Sequence, residues 1–532
     1  LCVRGFKDVD AGNLPSYAGT AQRYSQRIIA SETVQHDWEI CTTDISKAFL
    51  QGVTYEELSE ITGEEIREVN FTLPRGSEEI LMKLQGFSDF RPDREVLHCD
   101  KPGTGLVDAP RAFSIKVGQV TSKCGLRPTS VDPELVLKHE NGSLIMMMTK
   151  HVDDLKIAGT RKDITWVVDQ LQKTFGTLKL EWNQFVNCGV QHIHTVAAHE
   201  ITLDQEAYIA ALKPIVHEDL KQYRIEEKAC ETEEGPILPY ALQQLYMSLL
   251  GAVAWVLQTR IDLAIFVSAL QRQSGKAQAI HVKRLNAVVR YAQRHKRKLV
   301  YRRLKIQNNS NKTQLRAIVD AAFRKEDDSG HAVRGAVFLR CCDASLAKPV
   351  SCHVHFIDYY CGKQRHVTRS TFSAELLAHN DGADHMMMLA QIFHELTNGP
   401  CTFSKARQLR ETGRWDVTLV VAGDAKSVFA AVTARHVKQP SDKSLWIHVQ
   451  YLRELLDRRA ISSLWWLDTR DMVADGLTKG AVDRKALDEI MNGLQTIQHP
   501  SEAWIAPDKP PGIQAMELND DTQRTSCASR RQ

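Results

Sequence analysis

HVDDLKIAG, residues 151–159, places two adjacent carboxylates between two apolar segments. The segment before it, Ile145–Met148, follows an Asn-Gly pair and predicts the first strand of a hairpin, and the apolar residues after the acids predict the second. Asp153 and Asp154 therefore lie at a turn, where their like charges repel each other. Bound cations offset that repulsion, and Mg²⁺ prefers hard oxygen ligands. A solvated turn is the alternative, because Asp is common in turns.

A third carboxylate, Asp44, follows the apolar segment Trp38–Ile40 and begins DISKAFLQG, residues 44–52. Two-metal phosphoryl transfer needs acids from separate strands that converge on ions about 3.5–4 Å apart. A strand that ends in a carboxylate and passes into a helix fits this need, because both ions then stabilise the developing charge. Asp44 is equally well explained as a helix N-cap.

A second set of four acids lies in the C-terminal part of the chain. Asp320 and Asp424 each end a predicted strand. Glu375 lies on a predicted helix, and Asp475 precedes a later helix. The strands are Leu315–Val319 and Val417–Ala422, and the helix is Ser373–Leu396. Acids in these places can converge on two divalent ions and activate a water for hydrolysis of a phosphodiester. Each acid alone is also explained as a turn or cap residue.

Composition narrows the class of protein. The 532 residues carry 68 Lys and Arg against 65 Asp and Glu, so any nucleic-acid-binding surface has to be local. The 43% hydrophobic and 25% charged residues exclude a disordered, collagen-like or coiled-coil chain. The twelve cysteines form no repeated Cys-x-x-Cys pairs, which favours a reducing compartment over a disulfide scaffold or zinc ribbon. Arg260 and Asp262 interrupt the most apolar stretch, Leu245–Leu270, which therefore predicts two amphipathic helices and no membrane span.

Several boxes resemble the reverse transcriptases of copia-type LTR retrotransposons. DISKAFLQG is similar to that family's Asp-Val-x-x-Ala-Phe-Leu-x-Gly box, and HVDDLKIAG to its Tyr-Val-Asp-Asp box. Three further segments are similar and occur in family order: LCVRGFKD (1–8), PGTGLVDAPRAF (102–113) and YMSLLGAVAWVLQTRIDLA (246–264). The resemblance implies the C-terminal part of a Pol polyprotein, with other Pol segments expected upstream.

The resemblance also implies roles for individual residues. Asp44, Asp153 and Asp154 would be the catalytic carboxylates and metal ligands of the polymerase. Phe49 would lie beneath the incoming sugar and exclude a 2′-hydroxyl, with helix core as the alternative. His151, which replaces the family's Tyr, would lie next to the primer terminus. Three others would lie near the template and the incoming nucleotide: Gly105, Pro110 and Arg111.

The C-terminal boxes resemble the ribonuclease H domain of the same elements, and DMVADGLTKG (471–480) is the closest match. Because the order Asp, Glu, Asp, Asp is kept, the resemblance implies that all four acids are catalytic metal ligands: Asp320, Glu375, Asp424 and Asp475. Ala322 replaces the second acid of the first box, which is not a ligand here. The cysteines within residues 341–361 fit no zinc pattern and are predicted to be reduced structural residues.

The expected fold is a multidomain α/β (α+β) chain with four parts. They are right-hand polymerase fingers and palm over 1–190, a helical thumb and connection over 191–310, a ribonuclease H-like domain over 311–490 and a disordered tail over 491–532. A polar, acidic linker is expected at 215–237. The basic segment 290–305 carries eight Lys and Arg, and it could follow an RNA–DNA hybrid or be a solvated helix end. Asp108, in place of a family Gln, would put an acid near the polyanion and weaken binding.

The implied function is RNA-directed DNA synthesis with degradation of the RNA strand, using two Mg²⁺ per site or Mn²⁺ in their place. The implied partners are an RNA template, a DNA or RNA primer, an RNA–DNA hybrid and dNTPs, with no membrane and with a homodimer left open. The implied location is a cytoplasmic virus-like particle or the nucleus, and the implied biology is DNA integration by a transposable element. Two alternatives remain: an inactive nucleic-acid-binding remnant, and a chain that keeps only ribonuclease H activity.

Overall fold

The computed structural model describes most of the chain as a mixed α/β protein with three sheets of four or more strands and one two-stranded ribbon. The described residues are 3–74, 76–216, 222, 235–305, 313–323, 331–342, 350–436 and 440–507. Most of the predicted linker and the last residues of the predicted tail, 508–532, lie outside them. Among the described helices, none combines the length and apolar character needed to cross a bilayer.

The N-terminal sheet carries the first group of acids. The strands in this part are β1 (Glu39–Asp44), β2 (Asn70–Phe71), β3 (Leu97–His98), β4 (Arg127–Pro128), β5 (Leu135–Glu140), β6 (Ser143–His151), β7 (Asp154–Gly159) and β8 (Leu180–Trp182). β2 and β3 form the ribbon, and the others form a sheet in the order β4-β5-β6-β7-β1-β8. Five helices accompany them: α1 (Arg23–Gln35), α2 (Tyr55–Thr62), α3 (Glu78–Leu81), α4 (Ala109–Lys123) and α5 (Arg161–Phe175).

Local sequence explains the elements around the first acids. Asn141 and Gly142, which join β5 to β6, both have positive φ, at 49° and 76°, as a tight two-residue hairpin requires. Thr160 caps α5 by accepting a hydrogen bond from the Asp163 N–H at 3.2 Å. The apolar residues spaced along α5 are fully or nearly fully buried against the sheet: Ile164, Val167, Val168 and Leu171. The predicted hairpin strand and helix therefore both form.

The middle of the chain is less helical than the sequence predicts. A four-stranded sheet in the order β12-β11-β10-β9 is made by β9 (Gln184–Asn187), β10 (Val190–Thr195), β11 (Glu200–Asp204) and β12 (Leu299–Arg302). Its helices are α6 (Glu206–Ala211), α7 (Tyr240–Val256), α8 (Ala264–Gln271) and α9 (Ala279–Arg294). In β10 two histidines, His192 and His194, occupy the buried face, so the apolar alternation that marks a strand is weak.

The charged break between α7 and α8 is present as predicted. Arg260 and Asp262 are both fully buried and form a bidentate ion pair at 2.9 and 2.8 Å. Their charges compensate each other inside the protein. The pair lies between α7 and α8, so the apolar stretch forms two helices.

The C-terminal sheet carries the second group of acids. Its strands are β13 (Thr313–Ala322), β14 (Val333–Cys342), β15 (Val350–Lys363), β16 (Thr418–Gly423), β17 (Ser463–Trp466), β18 (Leu494–Ile497) and β19 (Glu502–Trp504). They lie in the order β18-β15-β14-β13-β16-β17-β19. The helices are α10 (Thr371–Asn398), α11 (Phe403–Thr412), α12 (Lys426–Thr433), α13 (Trp446–Asp457), α14 (Asp475–Thr478) and α15 (Lys485–Met491).

The structure differs from the expected disordered tail at its beginning. β18 and β19, within residues 491–507, are strands of the C-terminal sheet. Asp471 fixes the chain between them, because it accepts hydrogen bonds from the backbone N–H groups of Gln498 and His499 at 3.1 and 2.8 Å. The prediction made from the polar, Pro-containing composition therefore missed two edge strands, β18 and β19, which form through tertiary contacts.

The N-terminal and C-terminal sheets share a packed boundary through α1. One cluster of buried apolar side chains includes residues of α1 and of the C-terminal sheet. Three ion pairs cross the same boundary: Arg23 with Asp358 at 2.8 Å, Arg27 with Asp358 at 3.3 Å, and Glu32 with Arg340. Both partners are at most 10% exposed in the last two pairs, so these two pairs are buried.

Candidate active sites

The N-terminal acids meet at the end of one antiparallel strand pair. β1 and β7 pair so that Asp44 lies opposite Asp154, and the backbone N–H of Ile45 donates to the carbonyl of Asp153 at 3.2 Å. Partial burial, then the charge of Asp153, raises the pKa of Asp44. The pKa of Asp154 is raised by burial and by Asp153 and Asp44. The structure therefore brings the three predicted acids together as mutually repelling neighbours, which is the electrostatic condition that favours a cation.

The turn that presents Asp153 is strained. β6 ends at His151 and β7 begins at Asp154, so the loop has two residues, and its first residue, Val152, has φ of 60°. A β-branched residue rarely adopts positive φ, and such strain persists where surrounding contacts impose it, often at a functional site. The strain was not predictable from the apolar pattern, which places Val in ordinary strand conformation.

Glycines of the quoted boxes sit where the boxes touch each other. A Cβ on Gly5 would lie 1.8 Å from the carbonyl oxygen of Gly105, and Gly105 itself has φ of 105°. A Cβ on Gly52 would lie 3.0 Å from backbone atoms of Ala112 and Phe113. Glycine at these places therefore lets the separate segments pack closely against each other.

Phe49 and His151, which were predicted to lie near the incoming sugar and the primer terminus, are both partly buried. Phe49 lies in the 3₁₀ turn Ala48–Leu50 and is half-buried against the core cluster that contains Ile45 and Phe113. Its position is compatible with both the sugar-contacting role and the core role predicted from sequence. His151 packs edge-on against Trp255 with ring centroids 6.5 Å apart, and burial lowers its pKa despite the nearby acids.

The charged residues of the 102–113 box are paired within the protein. Arg111 forms a bidentate ion pair with Glu64, both distances being 2.8 Å, while Pro110 lies in the first turn of α4. Asp108 is buried and accepts a hydrogen bond from Arg67 at 2.6 Å. Asp108 shares this cation with Asp8, which also pairs with Arg67. The expected weakening of nucleic-acid binding by Asp108 stays a prediction.

The C-terminal acids converge more closely. β13 and β16 are parallel, with Ile318 opposite Ala422, so Asp320 and Asp424 leave their strands at the same sheet edge. Glu375 comes from the first turns of α10, which Ser370 caps by accepting from the Ser373 N–H at 3.1 Å. Oxygens of Asp320, Glu375 and Asp424 all lie within 4.8 Å of one another. Within the described residues these three form the single such group of potential metal ligands, so the N-terminal acids are more widely spaced.

Three acids of this cluster have raised pKa values. Glu375 is 5% exposed, and burial with the charges of Asp320 and Asp424 raises its pKa to about 9. Burial, followed by Asp320, raises the pKa of Asp475 to about 6, and the pKa of Asp424 is raised for the same two reasons. Carboxyl groups as close as those of Asp320, Glu375 and Asp424 do not all ionise readily without a compensating cation.

One oxygen of the cluster has no partner. Glu375 accepts a hydrogen bond through Oε1 from the Ala321 N–H at 3.2 Å, whereas its buried Oε2 has none. An unpaired carboxylate oxygen inside a group of hard oxygen donors is the donor set that Mg²⁺ or Mn²⁺ prefers. The residues therefore fit a divalent metal site formed by Asp320, Glu375 and Asp424, with Asp475 adjoining it.

Three further residues at this cluster were not predicted. The hydroxyl of Thr478 donates to Asp320, and the hydroxyl of Thr469 donates to Asp424 at 2.9 Å. The ammonium group of Lys479 lies 2.6 Å from an oxygen of Asp475. Thr478 and Lys479 are inside the 471–480 box and follow Asp475 within one helical turn, so their spacing was an available signal. Thr469 carries no comparable signal.

The basic segment 290–305 is partly paired within the protein. Four of its eight cations form ion pairs with acids of other segments: Lys296 with Glu206, Arg297 with Asp262 and Asp488, Arg302 with Glu200, and Arg303 with Asp37. Both interpretations of the segment, a path for the hybrid and a solvated helix end, stay predictions. The four cysteines between 341 and 361 are free thiols, and Cys341 is buried, as expected of structural residues.

Comparison with known proteins agrees with the boxes. No protein-family model matches the chain. The chain is 21% identical over 382 residues to the retrovirus-related Pol polyprotein from transposon RE1 of Arabidopsis thaliana. The match covers 70% of this chain and 23% of that polyprotein, so the chain spans about a quarter of the relative's length. The predicted resemblance to a transposon Pol polyprotein is thereby confirmed.

A solved structure is also similar in part. It is the foamy viral protease-reverse transcriptase in complex with dsDNA, at 11% identity, with 78% of this chain and 66% of that chain covered. The TM-score is 0.17, which is too low to establish a shared fold.

Proposed function

We propose that this chain, which is similar to a transposon Pol polyprotein, is a reverse transcriptase with an associated ribonuclease H. In this proposal residues 1–190 are fingers and palm, 191–310 are thumb and connection, and 311–490 are the ribonuclease H-like unit. The partners are an RNA template, a DNA or RNA primer, the RNA–DNA hybrid and dNTPs. The expected location is a cytoplasmic particle or the nucleus, where such an element would be copied and integrated.

The convergence of Asp320, Glu375 and Asp424 carries the proposal. Their oxygens lie within 4.8 Å of one another, and Glu375 keeps a buried oxygen without a partner. Divalent cations, when bound, would neutralise these acids and polarise the phosphodiester that is cut. The chain's own residues orient the cluster, because Thr478 holds Asp320 and Thr469 holds Asp424 by hydrogen bonds. A water would attack the RNA phosphodiester and leave a 5′-phosphate and a 3′-hydroxyl.

The N-terminal acids would serve DNA synthesis. A primer 3′-hydroxyl would attack the α-phosphate of a dNTP, with pyrophosphate as the leaving group and the hydroxyl proton passing to solvent. In this proposal the Val152 turn presents Asp153 beside Asp44, and the ring of His151 provides a flat face on which a primer base would stack. Asp44 and Asp153 are the proposed principal metal ligands, with Asp154 adjoining them.

A ribonuclease H-only chain is the second candidate. It is favoured because the C-terminal acids converge tightly, whereas the N-terminal acids do not form such a group in the described residues. The pairing of Arg111 with Glu64 points the same way, since it occupies a side chain that the polymerase would use.

Primer extension and hybrid cleavage, measured on one preparation with Mg²⁺, separate these candidates. Asp153→Asn should lower extension by about a hundredfold or more and leave cleavage unchanged, and Asp424→Asn should do the reverse. Asp93→Asn, at an acid whose side chain is 75% exposed, is the matched control and should change neither rate. Cleavage without extension in the unmutated chain would select the ribonuclease H-only candidate. Absence of both activities would refute the proposed function.

A further inference from the structure

One cation belongs to the C-terminal acid cluster. Lys479 follows Asp475 by four residues, and its ammonium nitrogen lies 2.6 Å from Asp475 Oδ1 and 3.7 Å from Asp320 Oδ2. The Lys479 side chain is 37% exposed, whereas Asp320 is 1% exposed. A flexible four-carbon side chain therefore brings one positive charge from the solvent side to the mouth of a buried acidic group.

The cluster is consequently divided into two unlike halves. On the inner side, Glu375 has a buried oxygen without a partner. Within the described part of the chain, no Lys or Arg forms an ion pair with Glu375 or Asp424. On the outer side, Asp475 is already neutralised by Lys479. Asp320 lies between the halves and contacts both Glu375's helix and Lys479.

We propose that Lys479 is a positioning residue that acts as an internal counter-ion and makes the two metal positions of this cluster unequal. Asp320, Glu375 and Asp424 would hold a first divalent ion, and two of these acids, Glu375 and Asp424, form no Lys or Arg ion pair in the described residues. A second ion would draw on Asp475, whose oxygen the Lys479 ammonium group already contacts, so Lys479 would compete with it there. This inference rests on the proposed function, because it assumes that the acids hold metal.

Charge removal at Lys479 tests the inference. We would titrate Mn²⁺ into the full-length chain by calorimetry and by electron paramagnetic resonance, using a background of Asp153→Asn and Asp154→Asn to silence the N-terminal acids. The parent should show one tight and one weak binding step. Lys479→Met should tighten the weak step by about fivefold, the size expected of a partly exposed ion pair, and leave the tight step unchanged. Lys479→Arg keeps the charge and should restore the weak step.

Two further variants serve as controls for this experiment. Arg407 and Glu411 form an exposed i,i+4 ion pair on α11, so Arg407→Met removes an equivalent charge and should change neither step. Glu375→Gln should abolish the tight step. If the parent shows no Mn²⁺ binding that depends on Glu375, the proposed function fails together with the inference. If the parent binds two ions but Lys479→Met binds the second as weakly as the parent does, the counter-ion role alone is refuted.

Discussion

Replacing Glu375 with Gln should make the metal-free protein more stable while destroying its metal site. Glu375 is 5% exposed and its Oε2 has no hydrogen-bond partner, so its ionised form is penalised by burial and by two neighbouring acids. Its pKa is raised from 4.5 to about 9, which corresponds to at most about 6 kcal/mol at 1.36 kcal/mol per pH unit. Asp320 and Asp424 still repel each other in the variant. We therefore expect Gln to recover about 2 kcal/mol of the total.

The pH dependence gives this prediction its sign. Below pH 4.5 the carboxyl is protonated in both folded and unfolded chains, so it costs nothing there. Between pH 4.5 and about 9 the unfolded chain releases the proton more readily than the folded chain does, so stability falls as the pH rises. Glutamine does not titrate. The advantage of Glu375→Gln should therefore grow from pH 5 to pH 9.

Thermal unfolding in EDTA at pH 5, 7 and 8.5 measures the effect. At pH 8.5 the variant should unfold about 2 °C above the parent, and at pH 5 the difference should nearly vanish. Added Mg²⁺ should raise the parent's midpoint but leave that of the variant unchanged, because a ligand stabilises only the state that binds it.

A buried glutamate on the same helix provides the control. Glu395 is fully buried and accepts a hydrogen bond from the Ser130 N–H at 2.9 Å as well as from the Ser130 hydroxyl. Glu395→Gln should lower the midpoint at every pH, because it weakens satisfied hydrogen bonds. A Glu375→Gln chain that is no more stable than the parent at pH 8.5 would refute the view of Glu375 as an uncompensated acid.

Two further substitutions test contacts around the N-terminal acids. Gly5→Ala should cost about 2–3 kcal/mol of stability, because its Cβ would overlap the Gly105 carbonyl, whereas Gly12→Ala, with nothing within 4 Å, should be nearly neutral in the same denaturation assay. Arg67→Ala should cost about 3 kcal/mol, because it leaves the carboxylates of Asp108 and Asp8 without the cation that they share. The added substitution Asp108→Asn should recover part of that loss, and a double variant as unstable as the single one would contradict the pairing.

Sequence patterns predicted the elements whose signals are local. The hairpin from β5 to β6 follows from Asn141-Gly142, and α5 follows from the apolar spacing after Thr160. The same patterns missed β9 to β12, because buried His192 and His194 look polar in the sequence. They also missed β18 and β19, which are strands only because a neighbouring strand is there to pair with them. Propensity cannot report such a partner.

At the candidate sites, the sequence indicated candidate residues but not the ion pairs and burial of those residues. The boxes named seven acids, of which the structure brings Asp320, Glu375 and Asp424 within 4.8 Å of one another and places Asp44 opposite Asp154. The catalytic roles of all seven stay predictions. The spacing of the boxes does not predict that Arg67 forms an ion pair with Asp108. It also does not predict that four of the eight cations in 290–305 pair with acids of other segments. These pairings join segments far apart in the chain, such as Arg303 with Asp37. Net charge within a segment therefore overstates the field that a nucleic acid would meet.

The packed boundary through α1 links the stability of the two candidate sites. Arg27 and Asp358 are each no more than 3% exposed at the side chain, and His385 adds a hydrogen bond to the same carboxylate at 2.9 Å. Removing one partner of a buried pair costs about 3–5 kcal/mol, but Arg23 also contacts Asp358 at 2.8 Å, so Arg27→Ala should cost less than this. α1 also packs beneath β6, the strand that leads into the Val152 turn. Arg27→Ala should therefore lower the midpoints of extension and of cleavage together when both are followed against temperature. Separate midpoints would show that the two units unfold independently, contrary to one shared core.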